Sequence, residues 1–150
     1  MASSPFVKVS KRKPSHLVDA GPLVGWLDAD DQWHAWSVQT LRLLGGPLMT
    51  TESVFAEVCH HLREFRPALD VLLAIVGEQD LLLEPVAGTQ SARLAELLHR
   101  YPKMDLGDAT LVALSEDYPK VKLVTLDRRN FSVYRRKDGR MVSCIMPAVE

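Results

Sequence analysis

The chain has 150 residues, 47% of them apolar and 25% charged, the balance of one globular domain with its own core and not of a disordered or collagenous chain. Eighteen basic side chains against 19 acidic ones leave a net charge of −1, so bulk charge demands no polyanion and any nucleic-acid site has to be local. No apolar run reaches the roughly 18–20 residues of a membrane-spanning helix and the amino terminus lacks the apolar stretch of a secretory signal, which predicts a cytoplasmic protein. Cys59 and Cys144, the two cysteines, form neither C-x-x-C nor a zinc spacing and read as small side chains in a reducing compartment.

Residues 1–14 carry Lys8, Lys11, Arg12 and Lys13 among Ser and Pro without periodicity, and are expected to be a flexible basic arm ahead of one folded domain over 15–150. His16-Leu17-Val18 is a short apolar strand that stops at Asp19, and Gly21-Pro22 reads as a break before a helix carrying Leu23, Val24, Trp26 and Leu27. Trp33, Trp36, Leu41 and Leu44 recur at helical spacing over 32–44, and Gly45-Gly46 then stops the helix. A second strand over 47–50 runs into Thr51-Glu52-Ser53, whose hydroxyls and carboxylate suit the start of a helix reaching about Phe65. Pro67 opens a helix to about Val76, the run at 81–86 is a buried strand, and a helix follows over 91–100. Leu106-Gly107-Asp108 starts one more helix, after which Val121-Lys122-Leu123-Val124-Thr125 is the clearest strand and ends near Asp127. The run at 141–146 is an expected edge strand.

Strands alternating with helices through short junctions predict an α/β fold with a parallel sheet covered on both faces, in which function collects at the carboxyl ends of the strands. The carboxylates fall there. Asp19 and Asp127 each follow a strand, Asp108 lies at a helix start, and Glu57 lies in the helix after the second strand. Two unit charges about 4 Å apart at an effective dielectric near 20 repel by roughly 4 kcal/mol, so such a cluster needs protons or a cation among its members. Oxygen donors without nitrogen or sulfur select a hard ion such as Mg²⁺ or Mn²⁺. A lone Asp at a helix start is more often a cap than a ligand; joint placement is what points to a metal site.

Leu17-Val18-Asp19-Ala20-Gly21-Pro22-Leu23-Val24, Thr50-Thr51 with Glu57 after it, Met104-Asp105-Leu106-Gly107-Asp108-Ala109, and Val124-Thr125-Leu126-Asp127-Arg128-Arg129-Asn130-Phe131 resemble, in order, the segments of PIN-domain ribonucleases. The likeness is greatest to the VapC-type toxins of prokaryotic toxin–antitoxin pairs and runs from about Leu17 to Ile145. It implies a PIN-like three-layer sandwich around a parallel sheet of about five strands. By position, the family's metal-binding acids would be Asp19, Glu57, Asp108 and Asp127, with Thr125 as the orienting hydroxyl and Asp105 as a further candidate acid. Ala20 stands where many members carry Thr or Ser, and Asn130 where an Asp often precedes the Phe. The resemblance implies a divalent-metal-dependent endoribonuclease, a homodimer, and inhibition by a small antitoxin whose cation enters the acidic mouth.

Arg128, Arg129, Arg135, Arg136, Lys137 and Arg140 gather after the fourth acid with Phe131 and Tyr134 between them, the mixture of cations and aromatics that single-stranded RNA binding uses. The first four of these arginines are the expected RNA-binding residues. Two rival readings have a foothold. Glu57-Val58-Cys59-His60 and Glu96-Leu97-Leu98-His99 match the Glu-x-x-His elements of di-iron carboxylate bundles, which need four helices rather than strands. The other rival is a PIN-like scaffold without catalysis, binding only RNA or protein.

Overall fold

A computed structural model describes residues 12–149. Most of the expected basic arm, with Lys8 and Lys11, lies outside the described residues. Its last part is attached: the Arg12 guanidinium donates to the Gln79 carbonyl at 3.0 Å, Pro14 is buried, and Ser15 N donates to Pro47 O at 2.8 Å. Among the described residues, contact with the domain therefore includes Arg12 and Pro14, which lie ahead of residue 15.

In chain order the elements are β1 (His16–Val18), α1 (Ala20–Leu27), α2 (His34–Leu43), β2 (Leu48–Thr51), α3 (Glu52–His61), α4 (Arg66–Gly77), β3 (Leu81–Glu84), α5 (Ser91–Arg100), α6 (Leu106–Asp117), β4 (Leu123–Val124), α7 (Arg128–Phe131) and β5 (Cys144–Ile145). The strands form one sheet in the order β3-β2-β1-β4-β5, and every neighbouring pair is parallel. Successive strand residues point to opposite faces. Leu17 and Val18 of β1, and Leu123 and Val124 of β4, are all 0% exposed, so helices seal both faces and the three-layer expectation holds. An all-parallel sheet also excludes the di-iron bundle; Glu96 is instead ion-paired with Arg93 at 3.2 Å.

The chain adds β2 and β3 on one side of β1, then crosses to add β4 and β5 on the other. Connections thus leave β1 and β4 in opposite directions, and parallel sheets open a crevice at the carboxyl ends of such a pair. Leu17 pairs with Leu123 and Val18 with Val124, which brings Asp19 level with Thr125. Beside this crevice lies α6, whose residues from Ala109 to Ser115 are all buried; a helix buried all round carries little amphipathic pattern. It packs on α3, α5 and β2. Thr51 joins these parts: its Oγ1 accepts from Val54 N at 3.2 Å, capping α3, and lies 2.8 Å from Thr110 Oγ1.

Local structure departs from the sequence expectations in places. Gly21-Pro22 does not break the chain but lies in the first turn of α1, where Pro costs no intrahelical hydrogen bond. A Cβ at Gly21 would sit 3.0 Å from Leu126 Cδ1, so a side chain there would press on the loop between β4 and Asp127. The helix expected to reach Phe65 ends at His61, and α4 restarts at Arg66 with Pro67 in its first turn. The strand expected over 121–125 narrows to Leu123–Val124, because Val121 N closes a turn onto Tyr118 O at 3.0 Å. The edge strand survives as Cys144–Ile145 alone.

Candidate active site

Asp19 is set by the strand it follows. Its amide donates to Val124 O at 3.0 Å, its Oδ1 accepts from Ala20 N at 2.7 Å, and its Oδ2 accepts from Thr125 Oγ1 at 2.8 Å. Fully buried Thr125 also accepts from Asp127 N at 3.1 Å, so one hydroxyl registers both strand-end acids. Asp127 caps α7: its Oδ1 accepts from Asn130 N at 3.1 Å and its Oδ2 from Asn130 Nδ2 at 2.8 Å. An Asp at position 130 could not donate that second bond at neutral pH, so Asn130 gives Asp127 a neutral partner in place of a second negative charge.

Asp108 projects from the first turn of α6, and its Oδ2 accepts from Tyr134 Oη at 2.8 Å. The cap of that helix is Asp105, whose Oδ1 accepts from Asp108 N at 2.8 Å. Asp105 is therefore committed to the helix end through one oxygen. Glu57 is half exposed on α3, with Oε1 3.9 Å from His61 Nε2. Its Oε2 lies 3.6 Å from where a Cβ of Gly107 would stand, so the glycine leaves room for the carboxylate to reach the start of α6.

The acids feel one another. Burial, opposed by the hydrogen bonds from Thr125 and Ala20, pushes Asp19 up to about 6, and the Glu57 and Asp127 carboxylates add to the rise. Burial likewise pushes Asp108 up to about 7; the Tyr134 hydrogen bond opposes it, while Asp105, Asp19 and Asp127 add like charge. Burial first, then the bond to Asp108, pushes the Tyr134 hydroxyl far above its ordinary value, so it remains a donor at neutral pH. Asp108 thus lies near enough to Asp19 and Asp127 to feel their charge, and Glu57 adds its field to Asp19.

This donor set fits a hard divalent cation: it offers only oxygen, and its members resist ionising together unless positive charge enters. Among the described residues no three His, Cys, Asp or Glu side chains close into a ready ligand cage. Mg²⁺ is commonly held by one or two carboxylates while keeping several waters, so an open mouth is in keeping with that ion.

The expected RNA-binding arginines separate. Arg129 is exposed. Arg128 is exposed and donates to Pro147 O at 2.7 Å. Arg135 Nη1 is turned back onto the carbonyls of Ser132, Val133 and Tyr134 at 2.8 to 3.0 Å. Arg136 corrects the expectation: it is 7% exposed, with Nε donating to Ser115 Oγ and Nη1 to Pro119 O, both at 3.2 Å. A guanidinium bonded inside the fold presents nothing to a ligand. Phe131 and Tyr134 are also buried, at 1% and 4% exposure, and stack edge-on at 5.3 Å; they pack the interior instead of stacking bases. The donor role of Tyr134 had no local signal, since it lies 26 positions from Asp108.

A family model of the PIN domain matches residues 16–137. The chain is 27% identical over 128 residues to Ribonuclease VapC26 of Mycobacterium tuberculosis, covering 82% of this chain and 94% of that protein. Its fold is similar to that of VapC20 of Mycobacterium tuberculosis, a Sarcin-Ricin loop cleaving toxin, with a TM-score of 0.65, 19% identity, and 73% of this chain and 87% of that one covered. It is similar also to a chain in a toxin–antitoxin complex from Klebsiella pneumoniae, with a TM-score of 0.63, 17% identity, and coverage of 79% and 92%.

Proposed function

We propose that this chain, which belongs to the PIN-domain family, is a divalent-metal-dependent endoribonuclease and the toxin of a toxin–antitoxin pair. The observation that carries the reading is that the Thr125 hydroxyl ties Asp19 to the backbone of Asp127 at the β1–β4 crevice, with Asp108 near enough to feel the like charge of both. Ribonucleases of this family are generally dependent on a divalent metal. In this reading Asp19, Asp108, Asp127 and Glu57 hold Mg²⁺ or Mn²⁺, and Asp105 holds the helix that carries Asp108. A divalent cation held among them would supply Lewis-acid chemistry for phosphodiester hydrolysis.

The chain's own groups do the rest. Thr125 fixes the angle of Asp19 and the backbone leading to Asp127. Tyr134 holds Asp108 by Oδ2 alone, and Asn130 holds Asp127 by both oxygens, through its amide and its side chain, each oxygen keeping a further lone pair for an ion. Ala20 adds no hydroxyl, so its contribution is the amide that fixes Asp19 Oδ1. Exposed Arg128 and Arg129 meet RNA phosphates at the rim. RNA and antitoxin would both be met in the cytoplasm, where the protein would act as a homodimer.

The test is incubation of the purified protein with structured RNAs in Mg²⁺, in Mn²⁺ and in chelator. Cleavage is expected with an ion and none with chelator; cleavage indifferent to chelator would refute the metal reading. Asp19→Asn, Glu57→Gln, Asp108→Asn and Asp127→Asn should each nearly abolish cleavage. The toxin reading is tested by expression in a host, where wild type should arrest growth, Asp19→Asn should not, and co-expression of an adjacent small reading frame should restore it. Light scattering at tens of micromolar tests the dimer, and a strict monomer would refute it.

A further inference from the structure

The acidic mouth has a neighbour that the four-acid reading does not use. Between the end of α5, the loop before α6 and the residues after α7 lies a cleft of about 370 Å³, within the size range of small-ligand pockets. Its lining includes Tyr101, Met104 and Val133, and its cations are Arg100, Lys103 and Arg129, with no acid in the lining. All three cations are exposed. The Arg100 guanidinium lies over the Tyr101 ring, 5.5 Å from its centroid, which holds that charge against the cleft.

The cleft also shares residues with the site. Asn130 and Tyr134 line it, and these same side chains donate to Asp127 Oδ2 and Asp108 Oδ2, each at 2.8 Å. Something seated in the cleft is therefore one side chain away from the carboxylates. An acidic peptide would suit the cations but would bring its carboxylates toward Asp105, Asp108 and Asp127. A single nucleic-acid strand fits the lining better, because it lays an uncharged base on the apolar surface and carries its phosphates at the rim, where Arg100, Lys103 and Arg129 stand.

We propose that this cleft is an RNA subsite: it seats the base and phosphate of a nucleotide flanking the cleaved bond, with Arg100, Lys103 and Arg129 on the phosphates and Tyr101, Met104 and Val133 against the base. The proposal rests on the ribonuclease reading for the identity of the strand, but its test does not require cleavage. Arg100 and Lys103 lie on α5 and the loop after it, away from the arginine cluster that follows Asp127, so linear sequence does not group them with Arg129.

Binding of a short fluorescein-labelled single-stranded RNA of mixed sequence is read by anisotropy in chelator. Val133, 56% exposed, can be replaced without opening the core. Val133→Glu, which places a negative charge among the three cations, is expected to weaken binding about tenfold or more, and Val133→Lys, of similar bulk, to bind as well as wild type or tighter. Arg100→Ala with Lys103→Ala should reduce the salt dependence by about 0.7 in log–log slope for each cation lost. Lys120→Ala, a surface cation in the loop before β4, should bind as wild type does.

Wild-type affinity in Val133→Glu, equal losses in Val133→Glu and Val133→Lys, or a protein that binds poly-glutamate and not RNA would each overturn the subsite. Metal-dependent cleavage in a protein with those results would leave the nuclease reading standing. The expected binding pattern in a protein that cleaves no RNA would support the subsite and refute the nuclease.

Discussion

Asp19 carries a charge that the fold resists, and removing it should stabilise the metal-free protein. Its carboxyl is pushed from 3.8 up to about 6 by burial first, with the like charges of Glu57 and Asp127 adding to the rise. Between those values the folded chain keeps a proton that the unfolded chain has lost. The stabilisation from this group is therefore complete below the lower value and is lost as pH rises through the higher one. By neutral pH the loss amounts to about 3 kcal/mol. Asp19→Asn abolishes that penalty but keeps only one of two acceptor oxygens, so either the bond from Ala20 or the bond from Thr125 must rearrange, at about 1 kcal/mol. The net gain is about 2 kcal/mol, or about 4–8 °C in Tm for a chain of this size. Thermal melts followed by circular dichroism in chelator would read it. The gain should shrink below about pH 4, where wild-type Asp19 is protonated in both states. Added Mg²⁺ at neutral pH should raise the wild-type Tm more than that of the variant, because only an ion bound to the folded state shifts the balance. A fall in Tm for Asp19→Asn at neutral pH in chelator, or a gain equally large in acid, would refute the reasoning.

Other variants separate positioning from packing. Tyr134→Phe removes the donor that holds Asp108 down, so the acid limb of a kcat/KM pH profile should move to higher pH and cleavage near neutrality should fall about tenfold; an unmoved limb would show that the hydroxyl does not act through Asp108. Arg136→Ala should lower stability by about 1–3 kcal/mol in a urea titration, by leaving Ser115 Oγ and Pro119 O without their donors, and should leave RNA affinity alone; an affinity loss at unchanged stability would restore it to the RNA-binding set. Arg93→Ala should destabilise by about 2 kcal/mol, because the guanidinium grips both oxygens of largely buried Glu116 at 2.9 Å; unchanged stability would mean that Glu116, which also accepts from Lys137 N, is satisfied without it.

The fold, and the placement of three acids at strand and helix ends, were legible because their causes are local. Short apolar runs that stop at Asp19 or just before Asp127 announce strand ends, and a parallel sheet sends those ends to one side whatever else the chain does. The helix at Asp108 was legible in the same way, from an apolar run following an acid. Roles within those segments needed the assembled molecule. Asp105 and Asp108 are the same residue type three positions apart, and only the direction of the first turn of α6 makes one the cap and leaves the other for the mouth. Glu57 alone on an amphipathic helix looks solvated; the approach of α3 to Gly107 brings it toward the site. A dense run of arginines reads as a basic surface, yet Arg136 turns inward because Ser115 and Pro119 offer it acceptors across the fold. The strand order β3-β2-β1-β4-β5 was not written in any segment either. It is a long-range outcome of the assembled sheet, and the β1–β4 pairing puts Asp19 and Asp127 on one hydroxyl.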